Sequence, residues 1–150
     1  MTIRPARSED LGPIQKLLRS CDLPHEDLTP AHLEHFLVAR EEETLRGVVG
    51  LEPRGDAALL RSLAVVPDAR GEGLGTRLVE AVEARARRRD ARTVYLLTTT
   101  AADYFAAHGY ERIERSALPA AIQETEEARC LCPESAITMR KALRTAGAER

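Results

Sequence analysis

Between Leu11 and Cys21 the apolar residues are Leu11, Ile14, Leu17, Leu18 and Cys21, spaced as one face of a helix. Ser8, Glu9 and Asp10 stand where a helix begins, and Pro13 falls in the first turn or so, where proline is least harmful. Ahead of it, Thr2–Arg7 reads as a short strand that Pro5 confines to a sheet edge. "TPAHLEHF" (Thr29–Phe36) opens a second helix, with Thr29 as its cap and Pro30 at its first position. Three strand-like runs follow: "FLVAREEE" from Phe36, "LRGVVGLEP" from Leu45 and "AALLRSLAVVP" from Ala57. The turn signal "PRGD" (Pro53–Asp56) separates the last two. "GLGTRLVEAVEARARRR" from Gly73 is a long helix with Leu74, Leu78, Val82 and Ala86 on one face, and its Glu83–Arg89 stretch reads as solvated. Thr93–Thr99 is apolar or β-branched almost throughout, as a buried strand is. A short helix, "ADYFAAHG", stops at Gly109. "YERIERS" from Tyr110 is a strand, "LPAAIQET" from Leu118 a short helix or loop, and "AITMRKAL" from Ala136 a final strand. The order predicts an α/β fold (α+β in some schemes). Its sheet is mixed and mostly antiparallel, with six to seven strands and about four helices on its faces.

Composition narrows this picture without changing it. At 150 residues, 43% hydrophobic and 31% charged, the chain fits one soluble domain over residues 1–143, with 144–150 as a frayed tail. A formal net charge of −2 gives no general grip on nucleic acid or on an anionic membrane. No apolar run approaches the roughly 20 residues that cross a bilayer, and "MTIRPARSED" lacks the apolar stretch of a secretory signal. Three cysteines, Cys21, Cys130 and Cys132, are too few for a disulfide framework, so a reducing cytoplasm is the expected setting.

The candidate chemistry starts at "PDARGEGLGT" (Pro67–Thr76). Glycine costs conformational entropy and packs nothing, yet Gly71, Gly73 and Gly75 cluster where an apolar strand passes into a helix. The amides from Gly71 to Thr76, together with the positive end of the helix, would form an anion site. Arg70 would add charge at its rim. The Walker pattern is absent, because Gly75 is followed by Thr76 and Arg77 with no Lys. The dinucleotide pattern also fits badly, because three antiparallel strands come first.

"LAVVPDARGEGLGTRLVEAVEARA" resembles the acetyl-coenzyme A signature of the GNAT family of N-acetyltransferases, whose loop reads Arg/Gln-x-x-Gly-x-Gly/Ala; Arg70, Gly73 and Gly75 match it. The likeness extends over nearly the whole chain. It implies an acetyltransferase that takes acetyl-coenzyme A as co-substrate and needs no metal, with a small-molecule amine as acceptor and a possible homodimer. It implies that Arg70, Gly71, Glu72, Gly73, Leu74, Gly75 and Thr76 hold the pyrophosphate. Leu63, Ala64, Val65 and Val66 would pair with the pantetheine arm, and the Val65 amide would polarise the thioester carbonyl. More narrowly, "ALLRSLAVVPDARGEGLG", "YLLTTTAADYFAAHGYER" and "RCLCPESAITMRKAL" resemble the small N-acetyltransferases of arsenic-resistance operons. That likeness implies an amino-acid-like toxic acceptor.

The chain departs from the family pattern where protons are handled. Aligned on Gly109, Tyr104 falls one residue before the usual acid position, which Phe105 fills, and one residue on a helix is a rotation of about 100°. Phe105 would pack against the coenzyme or the core, and Tyr104 is either a displaced acid or an aromatic capping the core. Leu59 occupies the usual base position, leaving Glu52 as the nearest carboxylate, either in the cleft or exposed at a strand end. Arg61, in a strongly apolar run, needs an anion: a substrate carboxylate or oxyanion, or an internal acid such as Glu52. Thr99 or Thr100 caps the next helix or lines the acceptor pocket. Cys132, with Cys130, would line that pocket or bind a metalloid. His25, His32, His35 and His108 show no ligand spacing. A coenzyme A-binding module with little catalysis, and a metalloid-binding protein, remain as alternatives.

Overall fold

The computed structural model describes residues 2–125, 128 and 136–143. Seven strands form one sheet: β1 (Thr2–Pro5), β2 (Phe36–Glu41), β3 (Thr44–Arg54), β4 (Ala57–Val65), β5 (Thr93–Thr98), β6 (Glu111–Ile113) and β7 (Ile137–Ala142). Their order across the sheet is β1-β2-β3-β4-β5-β7-β6. Five α-helices lie among the described residues: α1 (Leu11–Ser20), α2 (Pro30–Leu33), α3 (Leu74–Arg88), α4 (Ala102–Ala107) and α5 (Ala120–Gln123). This matches the expected sheet with about four helices on its faces, and the short helix or loop expected from Leu118 is a helix at Ala120–Gln123. No described helix is long and apolar enough to cross a membrane.

The chain packs as two compact units, Met1–Glu52 with Leu60–Arg85, and Pro53–Leu59 with Ala86–Arg150. In the first unit β1 pairs antiparallel with β2, and β2 with β3. Pro5 sits in the edge strand opposite Leu37, where its missing N–H costs no central ladder bond. Ile14, Leu17 and Leu18 of α1 pack with Leu33, Phe36, Val38 and Val48, which confirms the helical spacing. Phe36 lies across Gly50 so closely that a Cβ there would stand 2.3 Å from its Cζ. Asp10 fastens the sheet edge to the turn before α1. Its carboxylate accepts from Arg4 Nη1 of β1 (3.0 Å), Arg40 Nη1 of β2 (2.9 Å) and the Arg7 amide (2.7 Å). Along α3, Leu74, Leu78, Val79, Val82 and Ala86 are buried, but so is Glu83, and Arg85 Nη2 donates to the Glu34 carbonyl. The expected solvated face over Glu83–Arg89 is therefore confined to Arg88 and Arg89, because the earlier turns still lie against the protein.

In the second unit β5 pairs antiparallel with β7 along its whole length, and β6 covers the outer side of β7. Ala57–Leu59 of β4 pair parallel with Thr93–Tyr95. Leu59 and Tyr95 pack with Leu118 and Ile122. Gly109, at φ +93°, ends α4 in the left-handed conformation that favours glycine.

Candidate active site

Among the described residues, the first unit contains two features that could carry chemistry: the end of β4 with its glycine turn, and a buried ionic cluster. Along β4, Ser62 adopts φ +61°, a left-handed backbone that costs a non-glycine residue about 1 kcal/mol or more. Beyond this kink the Val66 amide donates to the Arg46 carbonyl of β3. Alternation along the strand turns the Val65 amide and carbonyl away from β3. The Val65 carbonyl accepts from Arg70 Nε at 3.0 Å, and Arg70 Nη2 approaches Cys21 Sγ at 3.5 Å. Arg70 is thus exposed at the turn as expected, and it folds back onto the strand end.

A 3-10 turn (Pro67–Ala69) leads into the glycines. Gly71 and Gly73 have φ +82° and +81°, and a Cβ built on either meets no atom within 4 Å. Gly75 is different: it lies inside α3, within the turn that the Arg77 amide closes on the Gly73 carbonyl at 3.1 Å. Two glycines therefore shape the turn, and open space lies beside them at the positive end of a 15-residue helix. Glu72 is exposed, Thr76 is half-buried, and Leu74 turns its side chain into the core. Leu63, Val65 and Val66 are half-buried and Ala64 is buried.

Arg61 is buried, and its counter-charges are internal. Nη1 donates to Asp27 Oδ2 at 2.5 Å and to Glu52 Oε1 at 3.0 Å, Nη2 to Asp27 Oδ1 at 2.8 Å, and Nε to Ser62 Oγ at 3.0 Å. Glu52 is only 5% exposed, so it is not an exposed strand-end acid. His32 closes the cluster, with Nε2 3.4 Å from Glu52 Oε1 and 3.9 Å from Asp27 Oδ2. Its Nδ1 accepts from the Thr29 amide at 3.2 Å and lies 3.1 Å from Thr29 Oγ1. Burial alone pushes the Asp27 carboxyl up, but the Arg61 hydrogen bond and the Arg61 charge outweigh it and hold that carboxyl below its ordinary value. Asp27, His32 and Glu52 have the residue types and proximity of a metal triad. The cation between Asp27 and Glu52 is, however, the Arg61 guanidinium.

Sequence reasoning identified Arg61 and Glu52 but missed Asp27 and His32. Asp27 sits in "LPHEDL", which has no periodicity, and 34 residues separate it from Arg61. The one available signal was the unbalanced Arg61 in an apolar strand. In the second unit, Tyr104 is 36% exposed and packs against His108 with ring centres 4.6 Å apart and planes tilted by 54°, whereas Phe105 is buried against Tyr110. Phe105 thus turns into the core, while Tyr104 lies on the exposed side of α4. Thr98, rather than Thr99 or Thr100, binds the turn before α4: its Oγ1 accepts from the Ala101 amide at 3.0 Å, because the strand ends there. Thr99 is exposed, and Cys130 and Cys132 lie outside the described residues.

Fold and glycine turn together define an α/β protein with an open, glycine-shaped turn at the start of its longest described helix. The chain belongs to the acetyltransferase (GNAT) family, whose model matches residues 7–113. The amino-acid acetyltransferase of Azotobacter vinelandii is 33% identical to it over 137 residues, covering 79% of this chain and 29% of the relative. That of Pseudomonas putida is 31% identical over 127 residues, with the same coverage. The chain thus spans less than a third of the length of these curated relatives. N-acetylglutamate synthase from Neisseria gonorrhoeae, in complex with coenzyme A and L-arginine, matches with a TM-score of 0.80 and 25% identity, over 95% of this chain and 33% of that one. A GNAT-family acetyltransferase from Staphylococcus aureus shares the fold over 95% of this chain and 99% of its own, with a TM-score of 0.75 and 16% identity. The two curated relatives are named amino-acid acetyltransferases, a name that does not bear out the arsenic-resistance likeness.

Proposed function

We propose that this protein transfers the acetyl group of acetyl-coenzyme A to the amine of an amino-acid-like small molecule. The observation that carries this reading is the turn at Gly71 and Gly73, whose open faces and helix-start amides suit a diphosphate. Coenzyme A bound to structural relatives and the names of the sequence relatives support it. In this reading the diphosphate rests on the turn, with Arg70 swinging from the Val65 carbonyl toward it. Val65 donates its amide to the thioester oxygen as charge develops there. The amine gives its proton to Glu52 and attacks the thioester carbon, and coenzyme A leaves as the thiolate. Arg61 keeps Glu52 in place and is not the receptor for an acceptor carboxylate, since Asp27 holds its fork in a bidentate pair. The arsenic-resistance likeness extends the acceptor class to arsenical and phosphinic amino acids.

Thiol release from acetyl-coenzyme A tests this, using a panel of common amino acids and their arsenical and phosphinic analogues. An acetylated product with at least one member is expected. A second reading, a coenzyme A-binding module, draws on Leu59 and Phe105, both buried at the family's usual base and acid positions. Tight coenzyme binding with no turnover across the panel would support that module and overturn the transferase reading.

A further inference from the structure

Within the ionic cluster, His32 is the member open to water. Its side chain is 27% exposed, against 5% for Asp27, 6% for Glu52 and 0% for Arg61. Among the described residues, a proton on Glu52 has beside it a buried carboxylate, a guanidinium that cannot accept it, and a partly exposed imidazole that can. Thr29 equips that imidazole unusually well. Its amide donates to Nδ1 in one tautomer and, lying at the exposed start of α2, turns to water in the other, while its hydroxyl, at similar distance, accepts as readily as it donates. With the proton on Nε2, Nδ1 accepts the Thr29 N–H. With the proton on Nδ1, the ring donates to Thr29 Oγ1 and offers a bare Nε2 to Glu52. Nδ1 is satisfied in both tautomers.

We propose that His32, supported by Thr29, carries protons between Glu52 and solvent during turnover. The proposal rests on the reading of Glu52 as the base. The proton taken from the acceptor amine moves from the Glu52 carboxyl to Nε2, and the Nδ1 proton leaves through Thr29 Oγ1 to water. A tautomer exchange then resets the ring. No electron changes hands. Among the described residues, the charged or titratable groups facing His32 are Asp27 from the α1–α2 connection, Glu52 from β3 and, behind them, Arg61 from β4. His32 acts through Glu52 and does not touch the acceptor.

Two measurements on the full chain test this. Nitrogen-15 NMR of the labelled imidazoles needs no acceptor. The neutral His32 ring should give shifts averaged over both tautomers, and Thr29→Val, which keeps the amide but removes the hydroxyl, should collapse them onto the Nε2–H form. A wild-type ring fixed in one tautomer, identical to that of Thr29→Val, overturns the proposal. In the kinetic arm, run with the fastest amine of the panel above, His32→Ala should lower kcat about tenfold to a hundredfold with KM for acetyl-coenzyme A unchanged. Imidazole added to the buffer should restore it. His32→Gln, which fills the same space, should be equally slow, so a packing defect in His32→Ala is not mistaken for loss of the relay. Wild-type kcat in both variants, or a loss that imidazole leaves untouched, overturns the relay. Glu52→Gln separates the two readings: it should be slow and insensitive to imidazole, and wild-type turnover there would instead sink the assignment of Glu52 as base.

Discussion

Arg61 holds two buried carboxylates in place, and its removal exposes what the cluster costs. A guanidinium on Asp27, Glu52 and Ser62 makes four hydrogen bonds with no solvent contact of its own. Desolvating these charges offsets most of their attraction, so the intact cluster adds little net stability. Breaking it is another matter: Arg61→Met leaves Asp27 and Glu52 buried without their cation. Denaturant unfolding should show a loss of about 3–5 kcal/mol. Asp27 also sets an acid limit. Its folded carboxyl, like that of Asp10, ionises below the ordinary value. For Asp10 too, burial pushes upward and is outweighed by the Arg4 hydrogen bond, the Arg7 amide and the charges of Arg4 and Arg40. A lowered folded value means that the stability these groups contribute is present above the unfolded value of about 3.9 and is lost as pH falls through the folded values. Unfolding free energy should therefore drop below about pH 4. Asp27→Asn should flatten that drop while leaving the Asp10 part. An acid limb of unchanged steepness in Asp27→Asn would contradict this assignment.

At the scale of elements, most of the fold could be read from the sequence, because periodicity reports burial directly. The one-sided spacing of Leu11–Cys21 and Leu74–Ala86, and the near-continuous apolar runs of β4 and β5, are consequences of which faces meet the core. The hidden parts depend on contacts distant in sequence. Glu83 reads as a surface residue from its neighbours and is buried by its position on α3. Asp27 and His32 lie in a short connection and a one-turn helix, where no period exists to register. The glycines divide in the same way. Gly71 and Gly73 announce themselves by clustering, but Gly50 looks like a weak point in an apolar strand. The structure gives it a steric reason, the Phe36 ring across its face. Gly50→Ala should cost about 1–3 kcal/mol by overpacking. The paired change Gly50→Ala with Phe36→Leu should recover part of that loss in thermal unfolding, since a shorter side chain leaves room for the methyl. A neutral Gly50→Ala would show that the ring moves aside freely.

For the molecule as a whole, the decisive question is whether the glycine turn serves the fold or a ligand, and two glycines in the same chain separate these roles. Gly55 in the β3–β4 turn and Gly73 before α3 both have positive φ, +66° and +81°, and a Cβ on either meets no atom within 4 Å. Alanine at each should therefore lose a similar amount, about 1 kcal/mol, through backbone strain alone. They differ in what the open space is for. Coenzyme A at about 100 times its Kd should stabilise the wild type by about 2.7 kcal/mol, a rise in Tm of roughly 5–10 °C for a chain of this size. Gly55→Ala should show the same ligand-induced rise from a lower baseline. Gly73→Ala, which places a methyl where a diphosphate resting on the turn would approach the main chain, should lose most of it. Equal rises in both variants would mean that Gly73 is only a turn residue. The phosphate would then be held elsewhere, and the family's signature would be present here without its usual role.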